Sequence, residues 1–236
     1  MSTFKFKQFT VKQSNVPMKV NTDGVLLGAW TNVVNASNVL DVGSGTGVIA
    51  LMLAQRCSKA TIHAVEIDAL AVEVAKENVV ASPWSGRVAV FCSNFQDYAC
   101  FTDTRYDLIV SNPPYFIQSL KSPVDSRNLS RHAELLPYED LVAGISRILA
   151  EKGVFAGIFP YAESSVFIAL AANHGLYCIR KTYVHPIVGG KVKRVLLELS
   201  KTRHALEEND LAIRVAVDKD YTDDYKSLTR DFYLAF

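Results

Sequence analysis

Apolar and polar positions follow two different periods along the chain, and the switches between them divide residues 38–174 into short elements. Apolar runs rich in β-branched residues predict strands, whereas apolar residues spaced three and four positions apart predict helices. The predicted strands are 39–42, 61–65, 88–91, 108–110 and 154–159, and the predicted helices are 48–56, 70–80, 138–149 and 163–174. Because strands that alternate with helices form βαβ units, the pattern predicts an α/β fold with a doubly wound, mostly parallel sheet and helices on both faces.

The pattern changes after residue 176. Residues 177–184 and 192–199 read as two strands, and the short segment between them contains Pro186, Gly189 and Gly190. A connection this short predicts an antiparallel pair at the end of the sheet. Residues 118–131, rich in Ser and Arg, form the longest stretch without periodicity, and long loops of this kind are often functional.

Composition restricts the class of protein. Hydrophobic residues make up 49% of the 236 residues and charged residues 21%, which is the balance of one ordinary globular domain. No apolar run approaches the roughly 18–20 residues that cross a bilayer, so we expect no membrane association. The four cysteines and five histidines show no metal-ligand spacing, so we expect reduced thiols, no metal site and a cytoplasmic location. The net charge of +1 leaves room only for a local basic patch.

A glycine loop follows the first strand of the predicted sheet. Residues 41–47 read DVGSGTG and open the first helix, where Gly43, Gly45 and Gly47 allow the backbone to turn tightly against a ligand. A dinucleotide fingerprint needs its third glycine one position later, where Val48 stands, and a phosphate-binding P-loop needs a lysine that this loop lacks. The loop therefore indicates a nucleotide-like ligand that is bound neither as in a dinucleotide fingerprint nor as in a P-loop.

Polar residues also follow the next two strands. Glu66 stands 25 positions after Asp41, at the end of the second strand, where a carboxylate can accept both hydroxyls of a ribose. Asp68 could do the same, or it could cap the helix that follows. After the third strand, Asn94 and Phe95 offer an amide and an aromatic ring to an adenine, although Asn94 could equally cap a helix.

The glycine loop with its leading Asp41, the acidic end of the second strand and the terminal antiparallel pair resemble the class I S-adenosylmethionine-dependent methyltransferases. This resemblance implies a seven-stranded sheet with one reversed strand, and S-adenosylmethionine (AdoMet) lying over the strand ends. It also implies a single methyltransferase domain, in which residues 38–200 are the AdoMet-binding catalytic core, 1–37 an N-terminal extension and cap, and 201–236 a C-terminal extension.

The sequence SNPPYF, residues 111–116, follows the fourth strand at the edge where ligands bind. Pro113 forces Asn112 into an extended conformation, and Pro113 and Pro114 each fix their own φ. The turn can therefore aim the Asn112 side-chain oxygen and the Pro113 carbonyl at one planar NH2 group, while Tyr115 offers a stacking surface. Phe116 could extend this aromatic wall or pack beneath the loop, and we favour packing. The motif resembles the signature of methyltransferases that act on adenine N6, cytosine N4 or the amide nitrogen of glutamine.

Segments outside the core resemble one particular family within this class of methyltransferases. Together with SNPPYF, the segments FKFKQF, MKVNTDGVLLGAW, SRNLSRHAEL and YTDDYKSLTRDFYL resemble the bacterial tRNA1(Val) (adenine-37-N6)-methyltransferase family from residue 4 to residue 234. Locally, Thr22 or Asp23 predicts the N-cap of a short helix that carries Val25 to Trp30 into the core.

The family resemblance implies a role for individual residues. It implies AdoMet as cofactor and the anticodon stem-loop of a tRNA as partner, with Asn112, Pro113, Pro114 and Tyr115 at the target amine. The residues implied for the cofactor are Lys19, Thr22, Asp41, Gly43, Gly45, Gly47, Glu66, Asn94, Phe95 and Asn112. Arg127, Arg131 and His132 are the foremost candidates for RNA contact, and further candidates are Lys5, Lys7, Lys12, Lys191, Lys193 and Arg194. We expect a monomer.

Three alternatives remain open. A glutamine-N5 protein methyltransferase shares the NPPY motif, but such enzymes usually carry a helical N-terminal domain, and only residues 1–37 precede this core. A DNA adenine methyltransferase usually carries an additional target-recognition domain. A non-catalytic RNA-binding relative could keep the fold, although the intact Asn112 and glycine loop argue against it.

Overall fold

The computed structural model describes residues 2–14, 16, 18–114 and 136–236. Its helices are α1 Thr22–Trp30, α2 Val48–Arg56, α3 Ala69–Val80, α4 Phe95–Phe101, α5 Tyr138–Ile148, α6 Tyr161–Asn173 and α7 Asp223–Thr229. Its strands are β1 Thr3–Lys5, β2 Thr10–Lys12, β3 Asn38–Val42, β4 Thr61–Glu66, β5 Val88–Cys92, β6 Tyr106–Ser111, β7 Leu149–Pro160, β8 Tyr177–Ile187, β9 Arg194–Ser200 and β10 Glu207–Arg214. None of the helices in these ranges has the length and apolar character needed to cross a membrane.

The main sheet has the order β10-β8-β9-β7-β6-β3-β4-β5, and β1 and β2 form a separate antiparallel hairpin. β9 runs antiparallel to both of its neighbours, and the other neighbouring strands are parallel. The predicted doubly wound, mostly parallel sheet is therefore confirmed, as is the antiparallel pair, which is β8 and β9.

The expected number of seven strands is wrong for this sheet. An eighth strand, β10, comes from the predicted C-terminal extension and pairs in parallel with β8 at the edge. Its sequence EENDLAIR begins with four exposed polar residues, so only its second half shows the apolar alternation of a strand. An edge strand needs little apolar surface, because only one neighbour and part of one face cover it.

The hydrophobic core lies on both faces of the sheet. Consecutive residues of a strand point to opposite faces, and accordingly Val39 and Leu40 of β3 belong to two different clusters. One cluster is covered by α1, α2, α3, α7 and the β1–β2 hairpin, and the other by α4, α5 and α6. This double burial explains why β3 and β6 read as continuous apolar runs.

Helix α1 begins differently from either expectation. Its N-cap is Asn21, whose side chain accepts a hydrogen bond from the Gly24 N–H at 2.9 Å. Thr22 and Asp23 are already helical, and Asp23 instead accepts a hydrogen bond from Arg194 Nε at 2.8 Å. The N-cap must have an extended backbone, and Asn21 is the residue that has it, with φ −136° and ψ 167°.

Candidate active site

The glycine loop has the backbone that its sequence predicts. Gly43, Gly45 and Gly47 have φ values of 71°, 53° and 79°, in the left-handed region that favours glycine. A Cβ added to Gly43 or to Gly45 would have no described atom within 4 Å, whereas a Cβ on Gly47 would contact Ala75. The first two glycines therefore present bare backbone to the space at the carboxyl edge of the sheet, and Gly47 packs against α3.

The loop is held from two sides. The N–H groups of Gly43 and Ser44 donate to the Val65 carbonyl at 2.9 and 3.2 Å, which ties the loop to the end of β4. On the other side, buried Asn78 of α3 donates to the Thr46 carbonyl at 2.9 Å. Asn78 also accepts from the Lys12 N–H at 2.8 Å and donates to the Lys12 carbonyl at 3.0 Å. The N-terminal hairpin and the glycine loop thus share one side chain.

Glu66 lies against the glycine loop, at the predicted end of β4. One carboxylate oxygen accepts from the Gly45 N–H at 2.8 Å, and the other accepts from the N–H groups of Ile67 and Asp68 at 2.9 and 3.0 Å. Asp68 is the N-cap of α3 and accepts from Ala71 at 2.8 Å, so the helix-capping alternative for Asp68 is confirmed. Of these two acidic residues, Glu66 is therefore the one that presents its carboxylate to the loop.

Asp41 lies under the loop, with no solvent exposure. Its Oδ2 accepts from the Ala50 N–H at 3.0 Å, and its Oδ1 has no hydrogen-bond partner among the described residues. Burial raises the pKa of Asp41 to about 7; the Ala50 hydrogen bond opposes this rise and the charge of Glu66 adds to it. Asp41 therefore lies beneath the loop, and its carboxyl group does not reach the surface.

The side chains of Asn94 and Phe95 both make contacts within the protein. Asn94 caps α4, accepting from the Asp97 N–H at 2.7 Å and donating to the Asp97 carboxylate at 2.7 Å, which confirms the capping alternative. Phe95 is 4% exposed, and a Cβ added to Gly144 would lie 2.4 Å from its ring. The structure therefore places the Phe95 ring in the core instead of at the surface.

One residue at this edge escaped the sequence reading. Ile67 directly follows Glu66, and its side chain is 52% exposed. An exposed apolar side chain beside a strand-end carboxylate offers one face to the flat ring of a nucleoside whose ribose binds the carboxylate. The available signal was an apolar residue placed after the strand had already ended.

The NPP turn, residues 112–114, lies next to the glycine loop, because the strands that lead to them, β6 and β3, are neighbours in the sheet. Ser111 Oγ donates to the Val42 carbonyl at 3.0 Å, and the two residues are register partners on β6 and β3. Asn112 and Gly43 therefore leave neighbouring strands side by side, at the strand spacing of roughly 4.8 Å. Asn112 and Pro114 are half-buried and Pro113 is buried. Tyr115, Phe116, Arg127, Arg131 and His132 lie outside the described residues.

Lys19 and Thr22 are exposed near the N-terminus of α1. A Cβ on Gly24 would lie 3.8 Å from Ile49 of α2, so the start of α1 stands beside the start of α2 and hence beside the glycine loop. Thr22 also lines a cavity of about 330 Å³ on the β8–β9 side. The remaining lining residues are Asp23, Val184, Pro186, Lys193, Arg194 and Ile213.

A second titratable cluster lies under α4. His63 Nδ1 is 2.7 Å from the Tyr106 hydroxyl and 3.0 Å from the Tyr98 hydroxyl, and burial lowers the pKa of His63. These groups satisfy one another, so we interpret them as part of the structure. No group of three or more metal-ligating side chains occurs in the part of the chain that the structure describes.

Comparisons with known proteins show which family the chain resembles. The family model described as "Methyltransferase small domain" matches residues 22–134. Proteins described as "tRNA1(Val) (adenine(37)-N6)-methyltransferase" from Phocaeicola vulgatus and Bacteroides fragilis are 47% and 46% identical over 232 residues, which is 98% of this chain and 97% of each relative. The relative from Trichodesmium erythraeum is 45% identical over 235 residues, 99% of this chain and 98% of its own length. The chain belongs to this family.

Solved structures of methyltransferases have a fold similar to that of this member of the tRNA1(Val) (adenine(37)-N6)-methyltransferase family. A predicted O-methyltransferase from Agrobacterium tumefaciens matches with a TM-score of 0.70 and 20% identity, covering 89% of this chain and 96% of the other. The ribosomal protein L11 methylase from Lactobacillus delbrueckii matches with a TM-score of 0.54 and 19% identity, covering 76% and 77%. At these identities the likeness concerns the fold, and it confirms the class I methyltransferase architecture.

Proposed function

We propose that this chain transfers a methyl group from AdoMet to N6 of an adenosine in tRNA, and that the target is adenosine 37 of tRNA1(Val). The observation that carries the proposal is the NPP turn, which stands beside the glycine loop in a chain that belongs to this family. The turn supplies acceptors for an amine, and the loop supplies a cradle for a nucleoside ligand. Methyl transfer to an amine requires both at one edge of the sheet.

The residues present fit AdoMet. Gly43 and Gly45 offer bare backbone at the helix start, and no described atom fills the space that a side chain would take. Glu66 uses three N–H donors, and a carboxylate has about four lone-pair sites, so it can accept from a ribose as well. The buried hydroxyl of Ser44 has no partner among the described residues. Ile67 would border the adenine, and Lys19 and Thr22 the methionine portion; the bound cofactor supplies an activated methyl group.

Asn112 and Pro113 would do the positioning at the acceptor. The Asn112 side-chain oxygen and the Pro113 carbonyl accept one N6 hydrogen each, which points the nitrogen lone pair at the methyl group and stabilises the positive charge that develops on nitrogen. The new N–CH3 bond forms as the S–CH3 bond breaks, and the methylated amine then loses one proton to water. No general base is required, because the charged amine is strongly acidic.

The adenine must leave its stack to reach Asn112, and this costs least in a single-stranded loop. An anticodon loop meets that condition. Tyr115 would supply a ring on which the base stacks, a contact worth about 1–3 kcal/mol. A protein glutamine and an adenine in duplex DNA remain the competing acceptors, because each carries the same kind of NH2 group.

One assay separates these acceptors. Purified protein receives methyl-labelled AdoMet together with tRNA, duplex DNA or a translation release factor. The expected result is label in tRNA alone, recovered as N6-methyladenosine from the anticodon loop. Label in a protein glutamine or in duplex DNA contradicts the proposed substrate. In parallel, Glu66→Ala should weaken AdoMet binding by about 1.5–3 kcal/mol in calorimetry, since it removes a charged hydrogen-bond acceptor.

A further inference from the structure

The β8–β9 hairpin stands at the same edge of the sheet as Asn112. β6, β7 and β8 run in the same direction, so their carboxyl ends share one edge. Asn112 follows β6, Tyr161 follows β7 as the first residue of α6, and residues 188–193 connect β8 to β9. β7 lies next to β6, so Tyr161 and the hairpin tip continue the edge outward from the NPP turn.

Tyr161 presents an exposed aromatic ring at this edge. Its side chain is 54% exposed, and its ring centroid lies 6.4 Å from that of Tyr183, which meets it edge-on at 62°. Its backbone N–H donates to the Lys193 carbonyl at 3.1 Å, so the start of α6 is fixed to the hairpin. A ring supported from one side by its neighbour leaves the other side for stacking.

Lys191 and Lys193 bring positive charge to the same place. Both are exposed, and neither forms an ion pair with any residue that the structure describes. Three neighbouring acids are paired: Asp23 with Arg194 at 2.8 Å, Asp210 with His185 at 2.8 Å, and Glu208, which accepts from the Tyr183 hydroxyl, with Lys181 at 3.4 Å. The tip therefore carries net positive charge on a chain whose overall charge is only +1.

The hairpin tip is also held in a defined shape. The Gly190 N–H donates to the Ile187 carbonyl at 3.0 Å, and the Gly190 carbonyl lies 2.7 Å from His185 Nδ1. The Val188 N–H donates to the Arg214 carbonyl of β10 at 2.9 Å. Cations that project from a fixed backbone lose less conformational freedom on binding than cations on a loose loop.

We propose that Tyr161, Lys191 and Lys193 form a nucleotide platform that binds the RNA strand flanking the target adenosine. This inference rests on the proposed function, and it names how the substrate is held beyond the flipped base. The two lysines bind phosphates and the Tyr161 ring stacks on a flanking base. A single-stranded loop presents phosphates and unstacked bases together, which a duplex does not.

The test compares two double variants of equal charge change. Lys191→Ala/Lys193→Ala changes the platform, whereas Lys59→Ala/Lys152→Ala removes two exposed lysines at the opposite, amino edge of the sheet. Binding of an anticodon stem-loop RNA is measured by fluorescence anisotropy between about 50 and 200 mM salt. The platform variant should bind on the order of tenfold more weakly, and its log–log salt slope should be smaller by about 0.7–0.9 for each lost phosphate contact.

Variants of Tyr161 test whether its ring acts by stacking on RNA or only by supporting the fold. Tyr161→Phe keeps the ring and should bind RNA like wild type, whereas Tyr161→Leu should bind about fivefold to a hundredfold more weakly. All variants should bind AdoMet as wild type does and keep its melting temperature.

If wild-type protein methylates tRNA, the proposed function survives, and two results would then overturn the inference alone. One is that the two double lysine variants have the same salt slope. The other is that Tyr161→Leu binds RNA as tightly as Tyr161→Phe does. If wild-type protein neither binds nor methylates tRNA, the proposed function and the platform fail together.

Discussion

At the scale of single residues, Asn112 is the side chain whose loss should affect chemistry far more than binding. Asn112→Ala removes one of two acceptors that matter when charge develops on the amine, so the rate of methyl transfer should fall on the order of a hundredfold to a thousandfold. Single-turnover kinetics with labelled AdoMet measures the rate, and calorimetry should find nearly unchanged AdoMet affinity. Asn112→Asp keeps an acceptor oxygen and should retain more activity than the alanine variant. An alanine variant that works at the wild-type rate contradicts the two-acceptor mechanism.

Asp41 should make stability depend on pH. Its pKa rises from 3.8 to about 7 on folding, so between these values the folded protein holds a proton that the unfolded chain has released. The free energy of unfolding therefore falls as the pH rises from about 4 to about 7. Asp41→Asn keeps the acceptor for Ala50 and removes the charge, and should raise the melting temperature more at pH 8 than at pH 5.

The measurement is thermal unfolding of wild type and Asp41→Asn at both pH values. The control is Asp231→Asn, which removes a carboxylate that is 75% exposed and should change the melting temperature little at either pH. An equal gain for Asp41→Asn at pH 5 and pH 8 would mean that Asp41 is charged throughout.

Residue patterns predicted the local geometry of the glycine loop and of the neighbouring strand ends, because these signals are local. The left-handed glycines, the carboxylate at the end of β4 and the prolines after β6 act through their own backbone or their own strand end. The orientation of Phe95 was not predictable in this way, because it depends on the gap that Gly144 leaves on α5. Ile67 is 52% exposed, and the exposure of a residue that follows a strand depends on the fold around it and not on its own sequence signal.

At the scale of elements, the close approach of α1 to α2 depends on Gly28. A Cβ there would lie 2.8 Å from Met52 Sδ and 3.1 Å from Met52 Cβ, inside ordinary contact distance. Gly28→Ala should therefore destabilise the protein by about 1–3 kcal/mol through overpacking, as measured by urea unfolding. Gly86→Ala is the matched control, because its added Cβ meets no described atom within 4 Å. Equal stability of the two variants would show that α1 can shift freely.

Arg127 and Arg131, which lie outside the described residues, give a second prediction at this scale. If Arg127 and Arg131 contact the tRNA backbone, replacing both by alanine should weaken tRNA binding and reduce its salt slope by about 0.7–0.9 per lost phosphate contact. AdoMet affinity should stay the same, as calorimetry can check. A variant with unchanged salt dependence would assign the phosphate contacts to other residues.

Strand β10 shows why an element can be missed. Its first four residues, EEND, are all exposed and three of them are acidic, which is a poor signal for a strand. The same charges suit an edge position, since they oppose pairing with the edge of another molecule. Only Leu211 is buried in β10, so the strand depends on its pairing with β8 more than on apolar burial.

At the scale of the whole molecule, the alternation of strands and helices was sufficient to predict the sheet, because a parallel sheet needs crossover helices and buries both of its faces. The predicted core of residues 38–200 contains seven strands of the main sheet. The parts that join it from outside, β1, β2, β10 and α7, were not assigned from sequence. β1, β2 and α7 are short, and β10 begins with exposed polar residues. Each of these elements depends on a surface built by distant residues, as when Val11 and Tyr225 enter the same cluster.

The side chain of Asn78 links Lys12 of the N-terminal hairpin to Thr46 of the glycine loop. Two sites joined through one buried group influence each other by the same free energy in both directions. We therefore expect a ligand that steadies Thr46 also to steady Lys12, whose N–H donates to Asn78. Hydrogen–deuterium exchange should be slower at the Lys12 amide when S-adenosylhomocysteine is bound and unchanged at the Thr222 amide, which bonds to Ile213 near the other end of the chain. The N-terminal hairpin then serves as a built-in reporter of cofactor occupancy, readable without following catalysis.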